Sequence, residues 1–419
     1  MAIVTRTEQI QFKSETISEL AHASKNLYDA ANYLIRQEFV KNRKWIKYYE
    51  LNDLLKESSE YKSLPAQTSQ QILKLLDKNW KSFFKSIKDW TKNPSKYKGR
   101  PKLPKYKAKD GVNILIFTNQ QCKIQGGILK FPKVVNLELK TRLKDVKLNQ
   151  VRIIPNQFNY VCEIVYEKEV SPEELNSERV IGIDLGVSNI VTIGNNFGAK
   201  PIVVKGGIVK SINQFYNKEK ARVQSIYDKQ KIKYGNKLAK LDHVRNNKIK
   251  DYFHKLSRFI INYASENKVK TIVIGNNTGW KQEVNMGKKN NQTFVSIPFS
   301  RLIQMIQYKA EENGIEVIVN EERYTSKCSF IDNEPICKHE NYAGKRIKRG
   351  LFKSANGILI NADLNGAYNI IRKVIPDAFN GIEDVGLHPK RHYLMSFKQS
   401  SCSNELELRT EVKTLGFSC

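Results

Sequence analysis

Residues 180–189 have the sequence VIGIDLGVSN, and this stretch decides how the second half of the chain is expected to fold. Apolar side chains occupy every second position from Ile181 to Val187, which predicts a β-strand with one buried face. Asp184 lies on the opposite face between two glycines, which leave room for a metal ion or a sugar–phosphate backbone. The alternative from this local pattern is an aspartate that forms a turn at a strand end.

A second candidate acid, Asp363, lies in the segment INADLNGAYNIIRKV at residues 360–374. The apolar residues of this segment recur at helical spacing, which predicts a helix that begins near Asp363. At that position the side chain either caps the helix and suits its dipole or holds a divalent cation beside a sheet. Two such acids, with a third, would form an oxygen-ligand Mg²⁺ site suited to phosphodiester cleavage.

The composition indicates a polyanionic partner. The chain has 419 residues, and its 71 Lys and Arg against 42 Asp and Glu give a formal net charge of +29. Neutralising backbone phosphates releases condensed counterions, so an excess of this size favours a nucleic acid over a membrane surface. No apolar stretch is long enough for a membrane span. The six cysteines have no disulfide-framework spacing, which favours the cytoplasm.

Residues 92–109, KNPSKYKGRPKLPKYKAK, contain eight basic residues and no acid. The three prolines exclude a regular helix, and Tyr97 and Tyr106 are interleaved with the positive charges. Basic groups beside flat aromatic rings suit phosphate contacts combined with base stacking, and the alternative is a solvated linker. The candidate nucleic-acid contacts in this segment are Lys96, Lys98, Arg100, Lys102, Lys105 and Lys107.

Four motifs in order along the chain resemble those of the TnpB (OrfB) family, transposon-encoded RNA-guided DNA endonucleases related to the type V CRISPR nucleases. They are GIDLGVSN (182–189), KTIVIGNN (270–277), YTSKCSF (324–330) and NADLNGAYNI (361–370). The resemblance extends over roughly residues 1–375. It implies a multidomain α/β protein in which an N-terminal antiparallel barrel, with a helical lobe inserted, precedes an RNase H-like (RuvC) nuclease domain.

The resemblance also implies domain boundaries and partners. Asp184 and Asp363 would be the first and last catalytic carboxylates, and the partners would be a guide RNA and a double-stranded target DNA. The expected particle is a monomeric ribonucleoprotein associated with a prokaryotic nucleoid. The expected parts are a first barrel strand (1–14), a helical recognition lobe (15–95), the remaining basic barrel (96–170), a nuclease domain (179–375) with a helical insertion (210–268) and a degenerate zinc-ribbon region (326–358), and a polar tail (376–419) compatible with disorder.

The first departure from the family concerns the third acid. The second RuvC motif normally ends its strand with Glu, whereas here Gly275 occupies that position. Glu321 and Glu322 lie on the next predicted strand, and either would restore a third carboxylate as a catalytic and metal-binding residue. We favour Glu322 over Glu321, and the alternative is an ordinary exposed pair of glutamates. Glu283, in a predicted loop, is a further candidate.

The second departure concerns zinc. The family often has two Cys-x-x-Cys pairs, but only Cys328, Cys337 and His339 are present here, and Lys353 and Asn356 replace the second pair. Because a closed structural zinc site needs four ligands, we expect no zinc. The basic stretch at 344–353 is expected instead to contact nucleic acid through Arg346, Lys348 and Arg349.

The leading hypothesis is therefore an RNA-guided DNA endonuclease that depends on Mg²⁺ or Mn²⁺. The missing acid at Gly275 motivates an alternative, an RNA-guided DNA-binding protein whose nuclease is inactive. A third hypothesis is an accessory transposition factor that only binds transposon DNA.

Overall fold

The computed structural model describes residues 2–172, 174–276, 295–382 and 384–394 of the chain. The chain divides into two compact units, Met1–Val170 and Ser171–Cys419, and each contains its own apolar core. No helix within the described ranges combines the length and the apolar character that a membrane span requires.

The first unit contains a four-stranded antiparallel sheet with the order β1–β7–β6–β2. These strands are β1 (Ala2–Phe12), β2 (Leu115–Thr118), β6 (Lys147–Pro155) and β7 (Tyr160–Val170). Three short strands form a separate antiparallel sheet: β3 (Lys123–Gln125), β4 (Ile128–Lys130) and β5 (Glu138–Lys140). The first strand of the chain therefore pairs along its whole length with the last strand of the unit.

The closed N-terminal barrel that the resemblance implies is not seen in the described part of the first unit. β1 and β2 are the two edges of the four-stranded sheet, and β3, β4 and β5 do not join them. β2 has only four residues and pairs with β6, and its other edge does not pair with β1. Within residues 134–140, only Glu138–Lys140 form a strand. An open sheet with a small separate sheet is the observed arrangement.

Helices fill the segment between β1 and β2. They are α1 (Glu15–Asn42), α2 (Tyr48–Leu55), α3 (Ser59–Lys62) and α4 (Ala66–Lys92), followed by a 3₁₀ turn at Pro94–Lys96. The Ser14 side chain caps α1 by accepting a hydrogen bond from the backbone N–H of Ile17. The apolar stripe of α4 is centred on Trp80, which is fully buried and donates its indole N–H to Asn32. The aromatic side chain therefore belongs to the core.

The second unit is built on a six-stranded sheet with the order β12–β11–β8–β9–β10–β16. Its strands are β8 (Asn176–Leu185), β9 (Asn189–Asn195), β10 (Ile202–Lys205), β11 (Val269–Gly275), β12 (Glu316–Asn320) and β16 (Lys390–His392). β8, β9 and β10 are successively antiparallel, whereas β11 and β12 run parallel to β8. The carboxyl ends of β8, β11 and β12 therefore lie at the same edge of the sheet.

Helices cover both faces of this sheet. They are α5 (Gly207–Lys229), α6 (Asn236–Glu266), α7 (Phe299–Glu312) and α8 (Ala362–Val374), and a small sheet of β13 (Lys345–Lys348), β14 (Leu351–Lys353) and β15 (Leu359–Asn361) precedes α8. Ile181 and Ile183 of β8 belong to the core formed with α6 and α7. Val180 belongs to a second core, formed with α8 on the opposite face. α5 and α6 lie where the sequence predicted a helical insertion at 210–268, and Gly235 is the N-cap residue of α6.

α8 packs directly on the backbone of β8. A Cβ atom on Gly182 would lie 2.3 Å from the carbonyl oxygen of Ala367 and 2.6 Å from Ile371. Real side chains do not approach this closely, so glycine at position 182 is required for the observed distance between helix and strand. The same close packing brings the start of α8 to the end of β8.

The order of the polar tail from residue 376 was left open by the sequence, and its described beginning contains a strand. Lys390–His392 form β16, which pairs in parallel with β10 at an edge of the sheet. The hydroxyl of Tyr368 donates to the carbonyl oxygen of Gly386, and the ring of His392 stacks on Phe259 at a centroid distance of 4.3 Å. The apolar pattern of this segment is too weak to predict a strand. The strand forms because it pairs with β10, which lies far away in the sequence. Residues 395–419 lie outside the described ranges.

We expect Gly182→Ala to destabilise the chain by about 1–3 kcal/mol, because the added methyl group would force α8 away from β8. Thermal and urea denaturation of the full chain would measure the loss. Gly207→Ala is the matched control, because its Cβ would meet open space at the first residue of α5. Equal stability of the two variants would contradict the packing described for α8.

Candidate functional site

Asp184 lies near the carboxyl end of β8, a central strand between β9 and β11. A Cβ atom on Gly366 of α8 would lie 3.4 Å from Asp184 Oδ2, so the carboxylate lies against the helix backbone. The side chain is only partly exposed to solvent. The sheet and the helix together therefore hold this carboxylate in a fixed, partly dry position.

Asp363 lies in the first turn of α8, but it does not cap the helix. Asn361 is the N-cap, and its side chain accepts from the backbone N–H groups of Asp363 and Leu364, both at 3.1 Å. The carboxylate of Asp363 is therefore directed elsewhere. Its Oδ2 accepts a hydrogen bond of 2.6 Å from Asn189, and its Oδ1 accepts one of 2.9 Å from Arg346.

Glu322 follows β12 by two residues, and its side chain reaches across to the neighbouring strand β11. A Cβ atom on Gly275, the last residue of β11, would lie 2.6 Å from Glu322 Oε2 and 3.1 Å from Glu322 Cβ. The side chain of Glu322 therefore occupies the space that a side chain at position 275 would need. Glycine at position 275 lacks the acidic side chain that is usual there, and the absence of a side chain leaves room for that of Glu322.

The pKa values link these three acids electrostatically. Burial raises the pKa of Asp184 well above its ordinary value, and the neighbouring carboxylates of Glu322 and then Asp363 raise it further. Burial also raises the pKa of Glu322 to about 7, although Lys373 partly offsets the effect. Each shift means that the ionised form is disfavoured in the folded chain. A bound cation would relieve this repulsion.

Glu321 does not belong to this group. Its side chain is about half exposed, and its carboxylate forms an ion pair with Arg323 at 3.3 Å. Its backbone carbonyl accepts a hydrogen bond from Lys373. Of the two glutamates that were candidates from the sequence, the structure brings only Glu322 to Asp184. Glu283, the further candidate, lies outside the described residues.

A cleft of about 690 Å³ opens beside Asp184 and Asp363, and its other charged lining residues are basic. Arg346 and Arg349 come from β13 and the turn after it, Lys205 from the end of β10, and Arg391 from β16. These basic residues, with Ser188, Asn189 and His388, surround the acids. Acidic groups enclosed by cations suit a ligand that combines a divalent metal with a phosphate backbone.

Sequence reasoning missed Asn189, Lys205 and Arg391. Asn189 had a signal, since it closes the GIDLGVSN motif, and its amide now bridges Asp363 and Lys205. Lys205 and Arg391 had none, because a single basic residue at a strand end is common. The strand order β9–β10–β16 alone brings them to the cleft.

The donor chemistry of the site fits a hard divalent cation. Mg²⁺ and Mn²⁺ prefer carboxylate oxygens, and Mg²⁺ commonly binds through one or two carboxylates plus water and substrate phosphates. Within the described ranges, no three His, Cys, Asp or Glu side chains are already arranged to hold a metal ion. Asp363 is meanwhile engaged by Arg346 at 2.9 Å. Metal binding would therefore require Arg346 to exchange with the cation.

The expectation that zinc is absent stays a prediction. The thiol of Cys328 is buried and lies 3.6 Å from the backbone oxygen of Cys337, and burial raises its pKa. The thiol of Cys337 lies 3.4 Å from His339 Nε2, which also lies 2.7 Å from the carbonyl oxygen of Pro335. The thiolate form that zinc requires is disfavoured at Cys328.

The basic segment at 92–109 belongs to the first unit, and all six of its candidate lysines and arginines are exposed. Its two tyrosines are already engaged, which weakens the stacking hypothesis. Tyr97 donates its hydroxyl to Asp89 at 2.6 Å, and Arg36 covers one face of Tyr106 at 4.8 Å. Hydrogen bonds from Lys96, Tyr97 and Asn93 lower the pKa of Asp89 to about 2.

The other candidate contacts differ in their availability. Lys96 pairs with Asp89, whereas the described residues supply no acid partner for the exposed Lys98, Lys102 and Lys105. Two more candidates lie over aromatic rings: Arg100 over Trp90 and Lys107 over Tyr28. In the second unit, Arg346 and Arg349 line the cleft, and Lys348 is exposed on β13.

Comparison with known proteins agrees with the motifs. Residues 163–281 match the OrfB_IS605 family model, described as "Probable transposase", and residues 299–370 match the model of the Cas12f1-like TNB domain. The TnpB-like protein ORF457 of Acidianus two-tailed virus is 25% identical over 417 residues, which cover 89% of this chain and 86% of that protein.

A second relative and a solved structure point the same way. The CRISPR-associated endodeoxyribonuclease Cas12f1 of Sulfoacidibacillus thermotolerans is 29% identical over 239 residues, which cover 52% of each chain. The fold resembles that of Cas12f1 in a cryo-EM structure with sgRNA and target DNA, with a TM-score of 0.55, 15% identity, and coverage of 85% of this chain and 82% of that one. In its motifs, its matched family models and its fold, the chain is therefore similar to TnpB (OrfB) proteins and to Cas12f nucleases.

Proposed function

We propose that this protein is an RNA-guided DNA endonuclease that hydrolyses phosphodiester bonds with Mg²⁺ or Mn²⁺. The observation that carries the proposal is the meeting of Asp184, Glu322 and Asp363, from two strand ends and one helix start. The strand order β10–β9–β8–β11–β12, with three antiparallel and two parallel strands, supports an RNase H-like (RuvC) domain. A guide RNA and target DNA are proposed as partners because the related Cas12f1 was solved with both.

In this mechanism the three carboxylates would hold the divalent metal, which would supply Lewis-acid activation of water and stabilisation of the leaving oxygen. Asp184 lies at the end of β8, where its carboxylate packs against the backbone of α8 at Gly366. Glu322 has a pKa of about 7, so close to neutral pH it carries a proton for part of the time. Asn189 holds one oxygen of Asp363 while the other is paired with Arg346. If a metal ion replaced Arg346 at Asp363, the guanidinium of Arg346 would be free to contact a substrate phosphate.

The alternatives differ from this proposal in one observable each. The missing acid at position 275 suggests a nuclease-inactive targeting protein, and the position of Glu322 beside Gly275 argues against it. Such a protein would bind target DNA through its RNA and leave it uncut. An accessory transposition factor would bind transposon DNA without RNA, so sequencing of co-purified RNA separates it from the other two.

We expect Asp184→Asn and Glu322→Gln each to reduce Mg²⁺-dependent DNA cleavage by at least about 100-fold, because even loss of an outer-shell partner of a metal site typically costs 10–100-fold. Target binding should remain. A cleavage assay on the purified ribonucleoprotein, run beside a gel-shift assay in EDTA, measures both. Glu321→Gln is the matched control. Glu321 pairs with Arg323, so this variant should cleave DNA like the wild type. Wild-type cleavage by Glu322→Gln would refute its role.

We expect the metal-free chain to lose stability as the pH rises from about 4.5 to 7. The pKa of Glu322 is raised from 4.5 to about 7, so the folded chain binds more protons than the unfolded chain within this window. Above pH 7 Glu322→Gln should therefore be more stable than the wild type, by about 1 kcal/mol or more, since a pKa difference of one corresponds to about 1.4 kcal/mol.

Thermal denaturation in EDTA across this pH range measures that difference. Adding Mg²⁺ at pH 8 should then stabilise the wild type more than Glu322→Gln, because the cation relieves a repulsion that the variant lacks. Glu321→Gln again serves as control. Equal pH profiles for Glu322→Gln and the wild type would contradict the electrostatic coupling.

We expect the triple variant Lys98→Gln, Lys102→Gln and Lys105→Gln to weaken RNA binding and to reduce its salt dependence by about 0.7 per lysine that contacts a phosphate. Filter binding over a salt series measures both. Its control removes the same charge from lysines that are already paired with acids: Lys44, Lys56 and Lys62. Equal losses in the two triple variants would mean that only net charge matters.

A further inference from the structure

Three cations converge on the loop between β8 and β9, beside the acids. Lys210 donates to Ser188 Oγ at 2.9 Å, and Arg349 donates to the same oxygen. Lys205 donates to Asn189, the next residue along the loop, at 2.8 Å. The cations come from α5, from the turn after β13 and from β10, so only the tertiary fold brings them together.

No acid compensates these charges within the described part of the chain. Lys205, Lys210 and Arg349 form no ion pair there, although Asp363 lines the same cleft as two of them. The carboxylate of Asp363 instead accepts from Arg346 and Asn189. The three cations are therefore satisfied by a hydroxyl and an amide, which carry no charge.

Two features make this arrangement unfavourable without an anion. Lys210 lies in the first turn of α5, where the helix dipole disfavours a cation, and that turn contains no acid. Burial lowers the pKa of Lys210, and the neighbouring charges of Arg349 and then Lys205 lower it further. Like charges that are held together at such a cost indicate a missing anionic partner.

Ser188 completes the arrangement. A hydroxyl has two acceptor lone pairs and one donor proton. Lys210 and Arg349 both donate to Ser188 Oγ, so its lone pairs are used and its proton is left to donate. The loop thus directs one hydroxyl donor and several N–H donors into the cleft that Ser188, Lys205 and Arg349 line.

We propose that Lys205, Lys210, Arg349 and Ser188 form a binding site for one backbone phosphate of the substrate strand, next to the phosphate that is cleaved. Three donors with a bidentate guanidinium match the tetrahedral oxygens of a phosphate. Asn189 contacts both Lys205 and Asp363, so the site is one residue away from the carboxylates. The identity of the anion as a DNA phosphate rests on the proposed function, whereas the phosphate site itself does not.

The test uses full-length Lys210→Gln, Arg349→Gln and Ser188→Ala in EDTA, where no metal-dependent cleavage occurs. Binding of a short single-stranded DNA is measured over a salt series. Each cation variant should reduce the slope of log K against log salt by about 0.7, whereas Ser188→Ala should lower affinity and keep the slope. Lys255→Gln is the matched control, because this exposed lysine on α6 pairs with Asp251 at 2.7 Å and should leave the slope unchanged.

Thermal denaturation distinguishes binding from a structural role. Removing one of several repelling cations should leave the melting temperature of Lys210→Gln unchanged or raise it, and inorganic pyrophosphate should stabilise the wild type more than the variant. A lower melting temperature together with unchanged DNA binding would overturn the proposal. So would slopes equal to that of Lys255→Gln.

The outcomes also separate this proposal from the nuclease function. Normal slopes with normal Mg²⁺-dependent cleavage would refute the phosphate site and leave the nuclease standing. Reduced slopes in a chain whose wild type never cleaves would support the site and refute the nuclease. An RNA oligonucleotide of the same length tests the source of the phosphate, and losses confined to RNA would overturn the assignment to the DNA strand.

Discussion

The mutual repulsion of three carboxylates is the constraint on which the second unit depends. Asp184, Glu322 and Asp363 meet at one edge of the sheet, where burial raises the pKa of the first two. A fold that only needed stability would separate these groups or pair each with its own cation. Asp363 is paired with Arg346, whereas burial disfavours the ionised forms of Asp184 and Glu322. Buried carboxylates with raised pKa values are typical of functional sites.

Glycines make this meeting possible because they let backbones and carboxylates approach one another. Gly182 allows α8 to lie directly on β8, and Gly275 leaves room for Glu322. A side chain at either position would clash with a neighbour, whereas a Cβ atom on Gly366 would meet Asp184 Oδ2 at an ordinary contact distance of 3.4 Å. The glycines of the motifs are therefore explained by packing distances, whatever the chemistry performed there.

The cleft combines this acidic group with basic residues for which the described residues supply no ion pair. Lys210 and Arg349 contact Ser188, and Lys205 contacts Asn189, whose amide also holds Asp363. A metal alone would satisfy the acids, and an anion alone would satisfy the bases. A polyanion with bound divalent cations satisfies both, which agrees with the large positive charge of the chain. The acidic and the basic residues of the cleft therefore both suit the same ligand, a polyanion with bound divalent cations.

The sequence by itself determined the elements whose signals are local. Period-two alternation identified the strand that carries Asp184, helical spacing identified the helix that begins near Asp363, and the absent acid at Gly275 was evident. Only the tertiary structure decided that Glu322 and not Glu321 turns inward, that Asn361 is the N-cap, and that the N-terminal sheet stays open. The physical reason is range: periodicity records which face of an element is buried, whereas side-chain direction and strand order depend on neighbours that are distant in the chain.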